Sequence, residues 1–269
     1  MRIAIYQSLP RFGAVQENVA QAVHDLQAVE ADLVVLPELF NTGYQFVSRK
    51  ELEGLAEDIP AGITCQELIA FSKARKRYLV FGMAEKDGKR VYNSAVVTGP
   101  EGLVGTYRKV HLFAEEKLYF DLGDNGFQVF DLGPCRIGVM VCFDWLFPES
   151  ARVLALLGAD VICHPANLVL PLCQQAMTTR SLENGVFSAT ANRIGTEERG
   201  GKKPLTFTGR SQILDPMGQT LARLGENDTG VAVVSIDPAQ ARDKKITEQN
   251  DRIADRRPEH YSGLLSAPS

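Results

Sequence analysis

The run RIAIYQS, from Arg2 to Ser8, returns as RIGVMVC from Arg136, and ADLVVLPE from Ala31 returns as ADVICHPA from Ala159. The offsets are 134 and 128 residues, and a pair of turns, Gly99-Pro100-Glu101-Gly102 and Asp215-Pro216-Met217-Gly218, comes next at an offset of 116. The order is the same in both halves, and the offset shrinks as the second half omits residues. Three recurrences in register mark a duplicated unit. Whatever sheet the first half builds, the second half must build again.

The repeated runs are short, apolar and rich in β-branched residues, the pattern of buried strands. Strands are expected over residues 2–8, 32–36, 78–84, 94–98, 136–141, 160–163 and 230–236. Helices are expected over 15–31, where Val19, Val23, Leu26 and Val29 share one face, over 64–77 behind a Thr64 N-cap, and over 148–158. The two turns carry proline in the second position and join strand-like runs, so each reads as a hairpin and the sheets are mixed. The expected fold is α/β. It is a four-layer α-β-β-α sandwich with two mixed sheets and an internal pseudo-two-fold, in one domain over 1–269. Residues from about 241 to 269 form a charged C-terminal extension, expected to be a solvated surface segment.

The formal charge of −4 lacks the basic footprint that nucleic-acid binding requires. No apolar run reaches the ~18 residues that cross a bilayer, and the first residues do not resemble a secretory signal. A cytoplasmic protein without nucleic-acid or membrane partners is expected. The five cysteines are irregularly spaced, with no C-x-x-C pair, which argues against both a disulfide framework and a metal site.

In α/β sheets reactive groups gather where strands end. The polar residues that come after the apolar runs are Glu38, Lys109 and Cys142. Pro37 fixes the backbone before Glu38, and the apolar neighbours Leu39 and Phe40 imply a sheltered carboxyl group with a raised pKa. Cys142 lies where a strand turns towards a helix beginning near Pro148, a place that favours a thiolate. Cysteine–histidine catalysis is less attractive, because only His111 and His164 occupy comparable strand-end positions. A thiol, a carboxylate and an ammonium supply the nucleophile, base and oxyanion stabiliser that acyl transfer needs. A non-catalytic binding or scaffold protein is the alternative from another class, and it would have no need of such a cluster.

Around these residues the chain resembles the nitrilase superfamily of carbon–nitrogen hydrolases, in its small microbial nitrilase and amidase branch. The resemblance is carried by LVVLPELFNTGY, YNSAVVTGPEGLVGTYRKVHLF and IGVMVCFDWLFPESAR, and is extended by HPANLVLP and RSLENGVFSATANRIG. It implies Cys142 as nucleophile, Glu38 as general base, Lys109 as oxyanion stabiliser, and a second glutamate that orients the substrate. Glu115 and Glu116 are both candidates, and the stretch EKLYFDLGD selects Glu116. The implied reaction is hydrolysis of a small linear amide through a thioester, with small aliphatic nitriles as the alternative substrates and no cofactor or metal. Phe143, Tyr44 and Asn167 are expected to contact the substrate. The resemblance also implies a homodimer or higher homo-oligomer, pairing through residues 148–158 and 173–184.

Overall fold

The computed structural model describes residues 1–266. The first half of the chain holds β1 (Arg2–Gln7), α1 (Val15–Leu26), β2 (Leu33–Val35), α2 (Arg49–Leu55), β3 (Glu57–Asp58), α3 (Ile63–Arg75), β4 (Tyr78–Asp87), β5 (Arg90–Gly99) and β6 (Gly102–Arg108). A short α4 (Glu116–Tyr119) leads to β7 (Gln128–Asp131), β8 (Arg136–Val139), α5 (Pro148–Leu156), β9 (Val161–Pro165), α6 (Cys173–Asn184) and β10 (Phe187–Ala191). The small ribbon β11 (Thr196–Glu197) and β12 (Leu205–Thr206) precedes β13 (Gln212–Leu214), β14 (Thr220–Arg223), β15 (Gly230–Ser235) and α7 (Ala239–Arg242). A 3-10 helix, Cys142–Leu146, separates β8 from α5.

One sheet runs β15-β1-β2-β4-β5-β6, with β3 paired to β4 off this path. The other runs β7-β8-β9-β10-β13-β14. From the first edge strand inwards, both have one antiparallel pair, then two parallel pairs, then two antiparallel pairs. Each parallel pair is joined by a crossover that contains a helix, whereas β4-β5-β6, β7-β8 and β13-β14 are joined by tight turns, as chain connectivity requires.

The register repeats too. Ile3 faces Leu33 in one sheet and Ile137 faces Val161 in the other, which reproduces both sequence offsets. Leu79 faces Thr98, and Ser188 faces Leu214. Each sheet also carries an irregularity at the same place, between Val97 and Thr98 and between Ile213 and Leu214. The recurrence read in the sequence is therefore a repeat of topology and of pairing.

The two sheets bury their bare faces against each other. Ile3, Ile5, Leu33, Val35 and Val80 of one sheet share a core with Ile137, Val139, Val161, Cys163 and Ala189 of the other. On the outer face of the first sheet, Val19, Ala22 and Leu26 of α1 and Leu68 and Phe71 of α3 cover Ala4, Val34 and Phe81. Ala151 and Leu154 of α5 and Met177 of α6 belong to the core of the second sheet. The result is the expected sandwich, helix layer on sheet on sheet on helix layer.

Three local expectations change. Helix α1 ends at Leu26 rather than at 31, because the chain turns to enter β2; Val29 still packs on the same apolar cluster. Gly62, not Thr64, caps α3, and the buried Thr64 hydroxyl bonds to Glu57 and Asn41 instead. The charged tail is not simply solvated. Lys244 Nζ donates to the carbonyls of Asn184 and Gly185 at 3.0 and 2.8 Å, and Arg252 Nη1 to that of Leu182 at 2.5 Å. These cations meet the carbonyl end of α6, where positive charge is favoured. The last three residues of the extension, 267–269, lie outside the described residues.

Candidate active site

Glu38 lies just past β2, where the chain still runs beside β4. Leu36 N–H donates to Val80 O at 2.8 Å and Phe40 N–H to Gly82 O at 3.1 Å. This closeness depends on Gly82, since a Cβ there would stand 2.4 Å from Glu38 Cα. Leu39 is next in the chain, with φ of 46°, a left-handed conformation that costs a side-chain-bearing residue energy. Glu38 is fully buried.

Lys109 leaves the end of β6, its N–H donating to Asn93 O at 2.8 Å. Its ammonium donates to Glu38 Oε1 at 2.7 Å and to Glu116 Oε1 and Oε2 at 2.9 and 2.8 Å. Glu38 Oε1 also accepts from Asn93 Nδ2 at 2.7 Å. Glu116 accepts from the Tyr44 hydroxyl at 2.6 Å and from Phe113 N–H at 3.1 Å. Glu115 faces outward, 57% exposed, and pairs with Lys202 at 2.5 Å. Neighbouring residues on a helix diverge by about 100°, so only one of the two glutamates can meet the lysine.

Cys142 opens the 3-10 helix with φ of 41°. Its thiol donates to Asn167 O at 3.8 Å, and its own carbonyl accepts from His164 Nε2 at 2.9 Å. His164 Nδ1 then faces the Thr190 hydroxyl at 3.1 Å. Burial pushes His164 down to about 4, so it is neutral and holds backbone rather than carrying charge.

Asp144 ties the thiol's turn to the lysine's strand. Its carboxylate accepts from Val141 N–H at 2.8 Å, Tyr107 hydroxyl at 2.7 Å, His111 N–H at 3.1 Å and His111 Nδ1 at 2.8 Å. From the second half of the chain, Glu197 accepts from Tyr44 and Gln45 N–H at 3.0 and 2.6 Å, and it pairs with the buried Arg193. Tyr44 is thus held at its backbone by Glu197 and at its hydroxyl by Glu116.

Two buried carboxylates share one ammonium, and this imbalance sets the electrostatics. Burial raises the Glu38 pKa, Lys109 opposes the rise, and Glu116 adds to it. Burial works against the charge on Lys109, but Glu116 and Glu38 prevail and raise its pKa. Burial also lifts Cys142 well above the ordinary thiol range; the Glu38 charge adds to this and Lys109 opposes it. The resting sulfur is therefore a thiol, contrary to the thiolate expected from a helix N-terminus. The physical reason is burial of the sulfur first and the Glu38 charge second, while α5 begins only at Pro148, beyond the 3-10 turn.

Of the residues expected at the site, Glu38, Lys109, Glu116 and Tyr44 form one hydrogen-bonded cluster, and Cys142 lies within its field. Asn167 meets the thiol through its carbonyl, while its side-chain Oδ1 and Nδ2, like Glu38 Oε2, are buried without a hydrogen-bond partner among the described residues. Such atoms are uncommon in folded chains, and at a cleft that reaches the thiol they are free to bond a polar ligand. Phe143 is half-buried, its ring 5.0 Å from that of Phe113. Sequence reasoning missed Asn93, Asp144 and Glu197. Asp144 stands two residues after the cysteine, and its placement in a turn packed by Trp145 was the available signal.

Space at the site is divided. A cleft of about 10 Å³ reaches Cys142 between Phe113, Phe143 and Asn167. A chamber of about 330 Å³ lies beside it, walled by Tyr44, Phe46, Phe113, Tyr119 and Leu205 and touched by Glu116.

A thiol on a strained turn, within the field of a buried glutamate–lysine–glutamate clasp where the strands of two stacked sheets end, defines a hydrolytic enzyme that works through cysteine. The model of the family described as carbon–nitrogen hydrolase matches residues 2–246, and the chain belongs to this family, within the nitrilase superfamily. It is 48% identical to a nitrilase of Pyrococcus abyssi over 97% of this chain and 99% of that one. It is 34% identical to an (R)-stereoselective amidase of a Pseudomonas species, over 96% of this chain and 92% of that one. Among solved structures, an amidase from Nesterenkonia sp. AN1 superposes with a TM-score of 0.80 at 28% identity, covering 98% of this chain and all of that one. That structure, of a mutant with glutamine in place of a glutamate, shows the result of Michael addition of acrylamide at its active-site cysteine.

Proposed function

We propose that this hydrolase cleaves the C–N bond of a small linear amide through a thioester on Cys142. The carrying observation is the Lys109 ammonium held between Glu38 and Glu116 at 2.7 and 2.8 Å, all three fully or nearly buried. As the sulfur attacks the carbonyl carbon, its proton passes to Glu38, whose raised pKa suits a base working near neutrality. The oxyanion is met by Lys109 and by the N–H of Phe143, which lies in the first turn of a 3-10 helix where N–H groups lack helical partners. Protonated Glu38 returns the proton to the leaving nitrogen, the C–N bond breaks, and ammonia or an amine departs. Water then attacks the thioester, Glu38 again takes the proton, the C–S bond breaks, and the acid leaves as the thiol is restored. Glu116 fixes the lysine, with Tyr44, and orients the substrate; Asn167 and Phe143 line the cleft. No cofactor takes part in this scheme.

Aliphatic nitriles are the second reading, favoured by the nitrilase relative at 48% identity. Ammonia release from a panel of small amides and nitriles tests both. Turnover of amides alone supports the first reading, nitrile turnover to acid supports the second, and no release from either refutes both.

The reading extends to the assembly and the setting. Leu146, Leu156, Leu157 and Leu182, on and beside α5 and α6, are each more than 40% exposed, and they support pairing of two chains across these helices as at least a homodimer. Light scattering that returns only monomer at micromolar concentration refutes it. The proposed setting is the cytoplasm, where the five cysteines stay reduced; among the described residues no helix is long and apolar enough to cross a membrane.

A further inference from the structure

Among the described residues, Phe113 alone lines both spaces at the site, the cleft at Cys142 and the larger chamber beside it. Its ring leans on Phe143 at 5.0 Å, and its N–H is held by Glu116 at 3.1 Å. The next residue, Ala114, has φ of 45°, so the backbone is bent where the ring is presented. The chamber, at about 330 Å³, is at the small end of the ~300–1,000 Å³ range of ligand pockets. Five aromatic rings, Tyr44, Phe46, Phe113, Tyr119 and Phe120, line it, and two of its charged groups are already matched, Lys202 by Glu115 and Glu116 by Lys109. Lys202 also donates to Phe46 O at 2.7 Å and Tyr119 hydroxyl at 2.8 Å, which leaves it little to offer a ligand. A carboxylate entering this space would lose water, and the one lining cation without an ion-pair partner among the described residues is Lys203, which is exposed to solvent, where its charge is screened. The exposed Lys203 stands at the rim.

We propose that Phe113 is a specificity-determining partition, and that the chamber behind it receives an uncharged apolar group on the acyl side of the substrate. The preferred substrates are then neutral amides with an alkyl or aryl acyl tail, the tail passing Phe113 while the carbonyl sits at Cys142. This deepens the proposed function, since it rests on Cys142 as the reacting group.

The test uses alkylation as well as turnover. The full-length protein and Phe113→Ala are treated with bromoacetamide and with 2-bromohexanamide, and the rate of modification at Cys142 is read by peptide mass spectrometry. Removing the ring joins the two spaces, so the rate ratio of long to short reagent rises about tenfold or more, the discrimination an apolar pocket gives for a methylene-sized change. The kcat/KM ratio of hexanamide to propionamide moves the same way. Leu205→Trp fills the chamber from the opposite wall and lowers both ratios, which keeps the proposal open to refutation if Phe113→Ala does not fold. Unchanged ratios in the folded variants overturn it, as does absence of labelling at Cys142. A preference for an amide bearing a distal carboxylate over its uncharged analogue also overturns it. Alkylation needs no turnover, so labelling that obeys the expected ratios while no amide is hydrolysed refutes the proposed function and leaves the partition standing.

Discussion

Replacing Glu38 with glutamine separates chemistry from architecture at this site. Both hydrogen bonds to Glu38 fall on Oε1, from Lys109 Nζ at 2.7 Å and Asn93 Nδ2 at 2.7 Å, and Oε2 has no partner among the described residues. A glutamine can place its carbonyl at Oε1 and its amide at the unpartnered position, keeping both donors satisfied in nearly the same volume. The charge balance improves, since one ammonium then faces one carboxylate instead of two. Burial raises the Glu38 pKa in the folded chain, so the folded state holds its proton to higher pH than the unfolded state does. Stability associated with Glu38 therefore declines as pH rises from the ordinary glutamate value through the raised one, and glutamine escapes this decline. At pH 7.5, Glu38→Gln should melt at the wild-type temperature or above it, measured by calorimetry. Its kcat/KM should fall by at least the ~10²–10⁴-fold assigned to a positioned base. The acid limb of the wild-type pH profile should lie above the ordinary glutamate value, about 4.3, and should vanish in the variant. Activity within tenfold of wild type, or a melting point several degrees lower, would refute the reasoning.

Cys142→Ala should abolish ammonia release while circular dichroism and melting temperature stay near wild type, because the thiol's one hydrogen bond among the described residues is a 3.8 Å contact. Tyr44→Phe removes a 2.6 Å hydrogen bond to the Glu116 carboxylate. Bonds to charged groups contribute about 1.5–3 kcal/mol, so steady-state kinetics should show kcat/KM lower by about ten- to a hundredfold. Gly82→Ala forces a Cβ to within 2.4 Å of Glu38 Cα, where only backbone can give way. Overpacking of this kind costs about 1–3 kcal/mol, and chemical denaturation together with an activity assay should show both stability and turnover reduced.

Much of this molecule is legible in its sequence. The repeat offsets become pairing registers because strand partners are set by the same apolar alternation that makes the sequences alike. Glu38, Lys109 and Cys142 are conspicuous as the polar residues directly after buried strands, and burial then separates Glu116 from the exposed Glu115. The features that stay hidden depend on distant partners. Asn93, Asp144 and Glu197 act on backbone or side-chain atoms that lie 55, 33 and 153 residues away, among others, and only Asp144, close to the cysteine, has a local signal. The protonation state of Cys142 is set by its burial and by the charges of Glu38 and Glu116, which packing rather than local sequence brings to it. The Thr64 cap fails for a related reason, since the half-buried Glu57 claims the hydroxyl that the helix end would have used.

The doubling of the sheets has a consequence for where reactivity can reside. The register that aligns Ile3 with Ile137 and Leu33 with Val161 also sets Ser8 in the place of Cys142 and Ala166 in the place of Glu38. The body thus has two corners of the same make, one armed and one silent. In the silent corner a hydroxyl stands for the sulfur and a methyl for the carboxylate, and Ser8 is stitched to Arg193 and Ile194. The pairing of the strands is thus doubled while the side chains at their ends are not, since neither Glu38 nor Cys142 has a like residue at the matching place in the other half.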